Sequence, residues 1–324
     1  MATYTQLTLA DAQRIGAEFG VRVAEVVSVP AGSVNSNYRL VEDDGTPLFA
    51  RVYEEQDRQG AEGEARLLDH LAERGVATPR PLPRTDRTGF TSTLEVSGGS
   101  RAVALFPWRD GEILCQARVT REVARKVGEK LAEVHRAAAS FSEPRPGRFR
   151  VSDLRTRLVR IAEASDPELR AMVPKLHDRL DDAEARRDPN LPRGIIHGDL
   201  FRDNVLWQGE TPVALLDFES ACDGPWAYDI MVTALAWCYG DGLDESLVRA
   251  MFEGYAGVRR PTSGELASLS NEGRIGALRF TVTRITDFEM RRGIGERVMK
   301  DYRRFFARHE RLVELGDRIA RWFE

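Results

Sequence analysis

What this chain has little of narrows its function before any motif is read. Its 324 residues hold three cysteines, Cys115, Cys222 and Cys238, an odd number without metal-ligand spacing. Neither a disulfide framework nor a thiolate metal centre is expected; at Cys222 and Cys238, buried, unreactive thiols are. Basic excess is missing too, since 47 Lys and Arg stand against 51 Asp and Glu, a formal net charge of −4. That balance lacks the basic face a nucleic-acid partner selects. No apolar run approaches the ~20 residues that cross a bilayer, so no membrane partner is expected either. The opening stretch MATYTQLTLADAQRIG has no charged start followed by an apolar centre. Internal repeats and low-complexity tracts are absent. These absences point to a cytoplasmic globular protein with reduced thiols.

What is present divides along the chain. A length of 324 residues is comfortable for two lobes. LTLADAQRIGAEFG reads as a helix capped by Thr8 and closed by Gly20. VRVAEVVSV, SNYRLVE and TPLFARVY have strand character, with EDDGTP as the hairpin turn between the last two. AEGEARLLDHLAERG is a helix with Ala65, Leu68, Leu71 and Ala72 on one stripe. FTSTLEV and SRAVALFPW form a second antiparallel pair through Ser97-Gly98-Gly99. Beyond Phe106–Trp108 the pattern turns helical, with Val123, Val127, Leu131 and Val134 at helical steps. The polar stretch from Ile195 to Phe218 interrupts it, and helices resume from Tyr228. The expectation is an α+β fold: a sheet-rich lobe over 1–105 with one main helix, then a helical lobe over 106–324.

The interruption carries the chemistry. In IIHGDLFRDNVLW, His197, Gly198 and Asp199 are followed five residues later by Asn204, and VALLDFES ends an apolar run in Asp217. A carboxylate can accept the proton of a substrate hydroxyl. An amide oxygen and a second carboxylate are hard ligands of the kind Mg²⁺ prefers. Singly, an Asp beside Gly is most often a turn residue and Asn204 a turn cap; the combination is what points to phosphoryl transfer. It has the form H-R-D-x-x-x-x-N followed by D-F-G, with Gly198 at the Arg position and Glu219 at the last Gly.

HGDLFRDNVLW followed by LLDFESACDGPWAYDI resembles the aminoglycoside phosphotransferase/choline kinase superfamily, whose fold is bilobal and protein-kinase-like. Within it the chain is similar to bacterial homoserine kinases, which carry G-V-E-N-S-N-Y where this chain has GSVNSNY, and share GDLFRDNVL. The resemblance runs from residue 1 to about 290. It implies ATP and Mg²⁺, with Asp199 as catalytic base, Asn204 and Asp217 as metal ligands, and His197 orienting the loop. In the first lobe it implies phosphate contacts from the hairpin bearing Ser33, Asn35, Ser36 and Asn37. Arg51 stands where many relatives have Lys, and Arg can still clamp phosphate. Glu64 is the implied ion-pair partner, with Glu62 competing. Phe106 or Trp108 would lie against adenine.

The resemblance further implies homoserine as the small-molecule acceptor, whose ammonium and carboxylate both need matching groups. Candidates are Asp223, Trp226, Trp237, Arg284 and Asp287. The last two, three apart on a helix, can equally pair with each other. One departure stands out: Leu235-Ala236-Trp237-Cys238 replaces the family's N-D-W-C. Another acceptor, such as an amino alcohol, a sugar, an aminoglycoside or a protein Ser/Thr, therefore stays open, as does a non-catalytic nucleotide-binding module.

Overall fold

The computed structural model describes residues 5–30, 34–97, 99–291 and 300–323; Ser33 and Gly98 lie outside them. The chain forms two compact units, residues 5–111 and residues 112–291 with 300–323.

The first unit opens with α1 (Leu9–Glu18), whose N-cap Thr8 accepts a hydrogen bond from Asp11 N. Strands β1 (Val23–Val29), β2 (Ser36–Glu42) and β3 (Pro47–Val52) follow, then α2 (Arg58–Glu73), β4 (Thr91–Val96) and β5 (Gly99–Pro107). The strands make one antiparallel sheet in the order β1-β2-β3-β5-β4. The alternation in β3 sets its faces. Leu48, Ala50 and Val52 enter a core with Ile15, Leu40, Val103 and Leu105, while Phe49 and Arg51 point to the other face. Strand β2 sits between β1 and β3, so Asn37 is opposite Val29 on one side and Arg51 on the other.

In the second unit, α3 (Arg121–Ala138), α4 (Val151–Ala162) and α5 (Pro167–Ala185) come first. Val123, Val127, Leu131 and Val134 are all buried on α3. The polar interruption is built as two short ribbons: β6 (Arg193–Ile196) pairs with β9 (Cys222–Pro225), and β7 (Val205–Gln208) pairs with β8 (Thr211–Leu215). Helices α6 (Trp226–Trp237), α7 (Glu245–Val258), α8 (Ser263–Asp287) and α9 (Arg303–Leu315) follow. Helix α6 is buried on every side, as its run of apolar residues requires. Helix α3 meets α7 at glycines. A Cβ on Gly128 would lie 1.9 Å from Met251 O, and one on Gly254 1.9 Å from Arg125 O. That approach lets His135 of α3 reach Tyr255 of α7.

The cysteines are unpaired; Cys238 is buried, Cys222 half-buried and Cys115 exposed. Cys115 directly precedes a short surface turn. Among the described residues no helix is long and apolar enough to cross a membrane.

Candidate active site

Strand β6 delivers His197 and Asp199 to the mouth of the β7–β8 hairpin, and a ring of hydrogen bonds closes there. Asp199 N donates to His197 Nδ1 at 3.3 Å, and His197 Nε2 lies 3.0 Å from Leu216 O. Leu216 N donates to Asn204 O at 2.9 Å, and Asn204 Nδ2 donates to Asp199 O at 2.8 Å. One neutral tautomer of His197, protonated on Nε2, satisfies both of its contacts. Burial, opposed by the charge of Asp229, lowers the pKa of His197 and favours that neutral form. The hairpin thus brings Asn204 beside the strand end that carries Asp217. Asp217 has φ 61° and ψ 64°, a left-handed conformation uncommon for a residue with a side chain. The next residue, Phe218, is fully buried with its ring 4.4 Å from that of His197.

A second layer holds the loop from behind. Asp229, in the first turn of α6, accepts from His197 N at 2.7 Å through Oδ2 and from Gly198 N at 2.8 Å through Oδ1. Its Oδ2 also lies 2.9 Å from His135 Nε2, whose Nδ1 is 2.7 Å from the Tyr255 hydroxyl. Arg259 donates to that hydroxyl at 3.0 Å and to Glu265 at 2.9 Å. Burial pushes the Asp229 carboxyl up, but its hydrogen bond to His135 and the nearby charges hold it below the ordinary value. From α8, buried Arg279 donates to Gly198 O and, at 3.2 Å, to Ser220 Oγ. Of these residues Asp229 is signalled in the sequence by the YD pair that opens an apolar helix, because a carboxylate there must find buried donors; the contacts among Asp229, His135, Tyr255 and Arg279 are not.

Gly198 is where backbone geometry restricts the sequence. Its φ is +74°, and a Cβ would stand 3.1 Å from Ser220 O. Gly198→Ala is expected to cost about 1–2 kcal/mol of stability. Urea denaturation measures this; no loss would mean the loop relaxes freely around position 198.

Asp199 is the electrostatic centre. Burial raises its pKa to about 7, the charge of Arg279 opposing and that of Asp217 reinforcing the shift. A carboxyl poised there has the proton affinity a general base needs near neutrality. Asn204 commits its amide nitrogen to Asp199 O, so its amide oxygen is the atom left to face a cation. Hard oxygens from Asn204 and Asp217 suit a divalent ion that keeps most of its coordination for water and phosphate. Among the described residues no three of His, Cys, Asp or Glu gather into a metal-binding group.

In the first unit, Arg51 Nη1 lies 3.4 Å from Glu64 Oε1, and Gln56 donates to the other Glu64 oxygen at 3.3 Å. Glu62 does not compete, because it accepts from Phe90 N and Thr91 Oγ1. Ser36 Oγ donates to Glu54 Oε1 at 2.5 Å, and Asn35 Oδ1 accepts from Glu54 N at 3.2 Å. These bonds tie the start of β2 to the residues that follow β3; Ser33 lies outside the described residues. Phe106 is buried against Phe49 with ring centroids 6.2 Å apart. Trp108 is half-buried, donates to Asp110 at 2.9 Å and has Arg39 over its ring at 5.6 Å.

The acceptor candidates do not gather at one place. Asp223 is exposed and pairs with Arg193 at 2.8 Å. Trp226 is covered by Arg259 at 3.9 Å. Trp237 is fully buried and donates to Leu200 O at 2.9 Å, supporting the loop from the core. Arg284 and Asp287 do not pair with each other: Asp287 takes Arg157 at 2.6 Å, and Arg284 lies over Phe305 at 4.3 Å. Three residues on α8 turn through about 300°, leaving the two side chains about 60° apart on one face, where each here takes a different neighbour. Leu235 and Ala236 are buried within α6.

A five-stranded antiparallel sheet with one buried Arg–Glu pair, joined to a helical unit with a paired Asp/Asn loop, defines the class. The chain belongs to the phosphotransferase enzyme family, which it matches over residues 25–263, and its fold is the protein-kinase-like fold of that family. It is 33% identical to a homoserine kinase from Beijerinckia indica over 294 residues, 89% of this chain and 88% of that protein. Among solved structures it is similar to a microcompartment-associated aminopropanol kinase (TM-score 0.68, 18% identity, 98% of each chain). It is also similar to the amicoumacin kinase hAmiN in complex with AMP-PNP, Ca²⁺ and Ami (TM-score 0.69, 12% identity, 92% of this chain and 90% of that one).

Proposed function

We propose that this protein transfers the γ-phosphoryl group of ATP to the side-chain hydroxyl of homoserine, forming O-phosphohomoserine for threonine synthesis. The hydrogen-bonded ring that gathers Asp199, Asn204 and the Asp217 strand end supports the transfer chemistry. Likeness to a homoserine kinase along 89% of the chain supports the acceptor. The acceptor oxygen bonds to the γ-phosphorus as the bond from that phosphorus to the bridging oxygen of ADP breaks, and the hydroxyl proton passes to an Asp199 oxygen. Asn204 and Asp217 hold a divalent cation, Mg²⁺ in this reading, which neutralises phosphate charge when bound. Arg51, steadied by Glu64, binds phosphate oxygens. The segment of Asn35, Ser36 and Asn37 covers the phosphates, and Phe106 or Trp108 packs on the base.

The test is a coupled ADP-release assay with homoserine, aminopropanol, ethanolamine and an aminoglycoside, followed by mass spectrometry of the product. Homoserine-dependent ADP release with one added phosphate is the expected result. Turnover of another alcohol, with none for homoserine, would replace the acceptor; ATP binding without any turnover would make this a binding module.

The base has a pH signature. Below about pH 7 the free-enzyme Asp199 carboxyl holds its proton and cannot accept another. With the metal–nucleotide complex varied at saturating homoserine, kcat/KM is expected to rise about tenfold per pH unit up to that point and then level. The limb of kcat should lie lower, because a cation beside Asp217 favours the charged carboxylate. A flat kcat/KM profile from pH 5.5 to 8 contradicts Asp199 as base.

A further inference from the structure

On the side of the loop carrying Phe201, two residues after Asp199, several arginines gather. The Phe201 ring packs against Phe280 of α8 at 4.9 Å and Phe305 of α9 at 5.7 Å. The guanidinium carbons of Arg284 and Arg308 each stand 4.3 Å from the Phe305 centroid. The two cations are therefore no farther apart than twice that distance.

Arg308 is only 9% exposed. Its Nε is buried without a hydrogen-bond partner, as is that of Arg284. Its leading charged neighbours are further cations, Arg284, Arg304 and Arg202, while Tyr239 stacks at 4.6 Å. The nearby carboxylates act on Arg284 rather than on Arg308: Arg284 feels the charges of Asp199, Asp301 and Asp203 and donates to the backbone carbonyl of Asp301 at 2.9 Å, while Asp203 also lies 3.8 Å from Lys300. Burial and this crowding lower Arg308 to about 9 and burial lowers Arg284 to about 10. Both remain cations at neutral pH, at a cost that a bound anion would relieve. The charge of Asp199 on Arg284 puts that guanidinium within electrostatic reach of the carboxyl proposed as base.

We infer that Arg284 and Arg308 form the subsite for the carboxylate of the acceptor, so that the enzyme selects hydroxy amino acids over amino alcohols. The inference rests on the phosphotransfer reading above and specifies its substrate class. A carboxylate accepts forked hydrogen bonds from guanidinium groups. 3-Aminopropan-1-ol, which is homoserine without its carboxylate, brings only a cation to this corner and meets like charge.

Steady-state kinetics of the full chain with L-homoserine, L-homoserinamide and 3-aminopropan-1-ol tests this, using wild type, Arg308→Gln, Arg308→Lys and Arg284→Gln. Arg308→Gln is expected to raise the homoserine KM about 10- to 150-fold. Its kcat should fall by less than about threefold, the pattern of lost ground-state binding. The preference for homoserine over the two acceptors without a carboxylate should shrink by the same factor as KM rises. Thermal protection by homoserine, measured with a non-hydrolysable ATP analogue, should disappear in parallel. An unchanged homoserine KM in a folded, nucleotide-binding Arg308→Gln overturns the inference. If that variant does not fold, Arg308→Lys, which keeps the charge but loses the fork, and Arg284→Gln are read the same way. A wild type that phosphorylates another hydroxy acid but not homoserine removes the proposed acceptor, yet supports this subsite if Arg308→Gln raises the KM of that acid. A wild type that takes only acceptors lacking a carboxylate overturns the subsite and leaves phosphotransfer standing.

Discussion

Replacing Asp199 by Asn is expected to lower turnover by about 10²–10⁴-fold, the usual contribution of a positioned general base, while nucleotide affinity stays nearly constant. Asn has the same shape and can still sit within the loop, but its amide cannot take the hydroxyl proton. The same change should stabilise the protein at pH 8. Burial pushes the folded Asp199 carboxyl up to about 7, from 3.8 for the ordinary group. Between those values the folded chain holds a proton that the unfolded chain has released, so wild-type stability falls as pH rises through this window. Above it the protein carries the full penalty of a charged, poorly solvated carboxylate, and Asn carries none. Urea denaturation at pH 8 and pH 4 checks the sign: Asp199→Asn should be the more stable protein at the higher pH and roughly equal at the lower. A gain in stability with a loss of rate marks a residue kept for chemistry. A variant with near wild-type turnover would remove Asp199 from the mechanism.

The parts of this site that were legible in the sequence are those the chain encodes locally. Asp199, Asn204 and Asp217 fall on either side of a hairpin, and pairing of Val205 with Leu215 brings the flanks together. The strands of the first unit were legible for a related reason: alternation in β3 separates Leu48, Ala50 and Val52 from Arg51 within six residues. Packing partners were not. His135 meets Asp229 across 94 residues and Tyr255 across 120, and Arg279 meets Gly198 across 81. No period or cap links such positions, and each alone looks like a polar residue on a helix. Arg308 escaped notice for the same reason, since one Arg on an amphipathic helix normally faces water. Arg284 and Asp287 show the converse error risk: helical spacing made a mutual pair plausible, but each found a partner on another helix.

The largest stability effect is expected at Asp229. Its two oxygens receive His197 N, Gly198 N and His135 Nε2, all buried. Asp229→Ala removes the acceptor from three donors that water cannot reach, and breaking such a buried arrangement costs about 3–5 kcal/mol. That is a large share of the ~5–15 kcal/mol that keeps a domain folded, so the variant should be partly unfolded at physiological temperature. Asp229→Asn should lose less, because its one carbonyl oxygen can still serve either the loop amides or His135. In Asp229→Asn, amide exchange at His197 and Gly198 should accelerate before global unfolding, because those N–H groups hold the loop to α6. His135→Ala alone should cost less than Asp229→Ala, since the two backbone amides keep their acceptor. A double-mutant cycle between positions 135 and 229 should return a coupling of about 1–3 kcal/mol. Asp229 and Asp199 thus divide the work of two carboxylates in one loop. The charge of Asp229 is compensated by buried donors and supports the fold, whereas that of Asp199 is left undercompensated and available to a proton. Wild-type stability in Asp229→Ala would contradict this division, because it would require three buried donors to go without an acceptor at no cost.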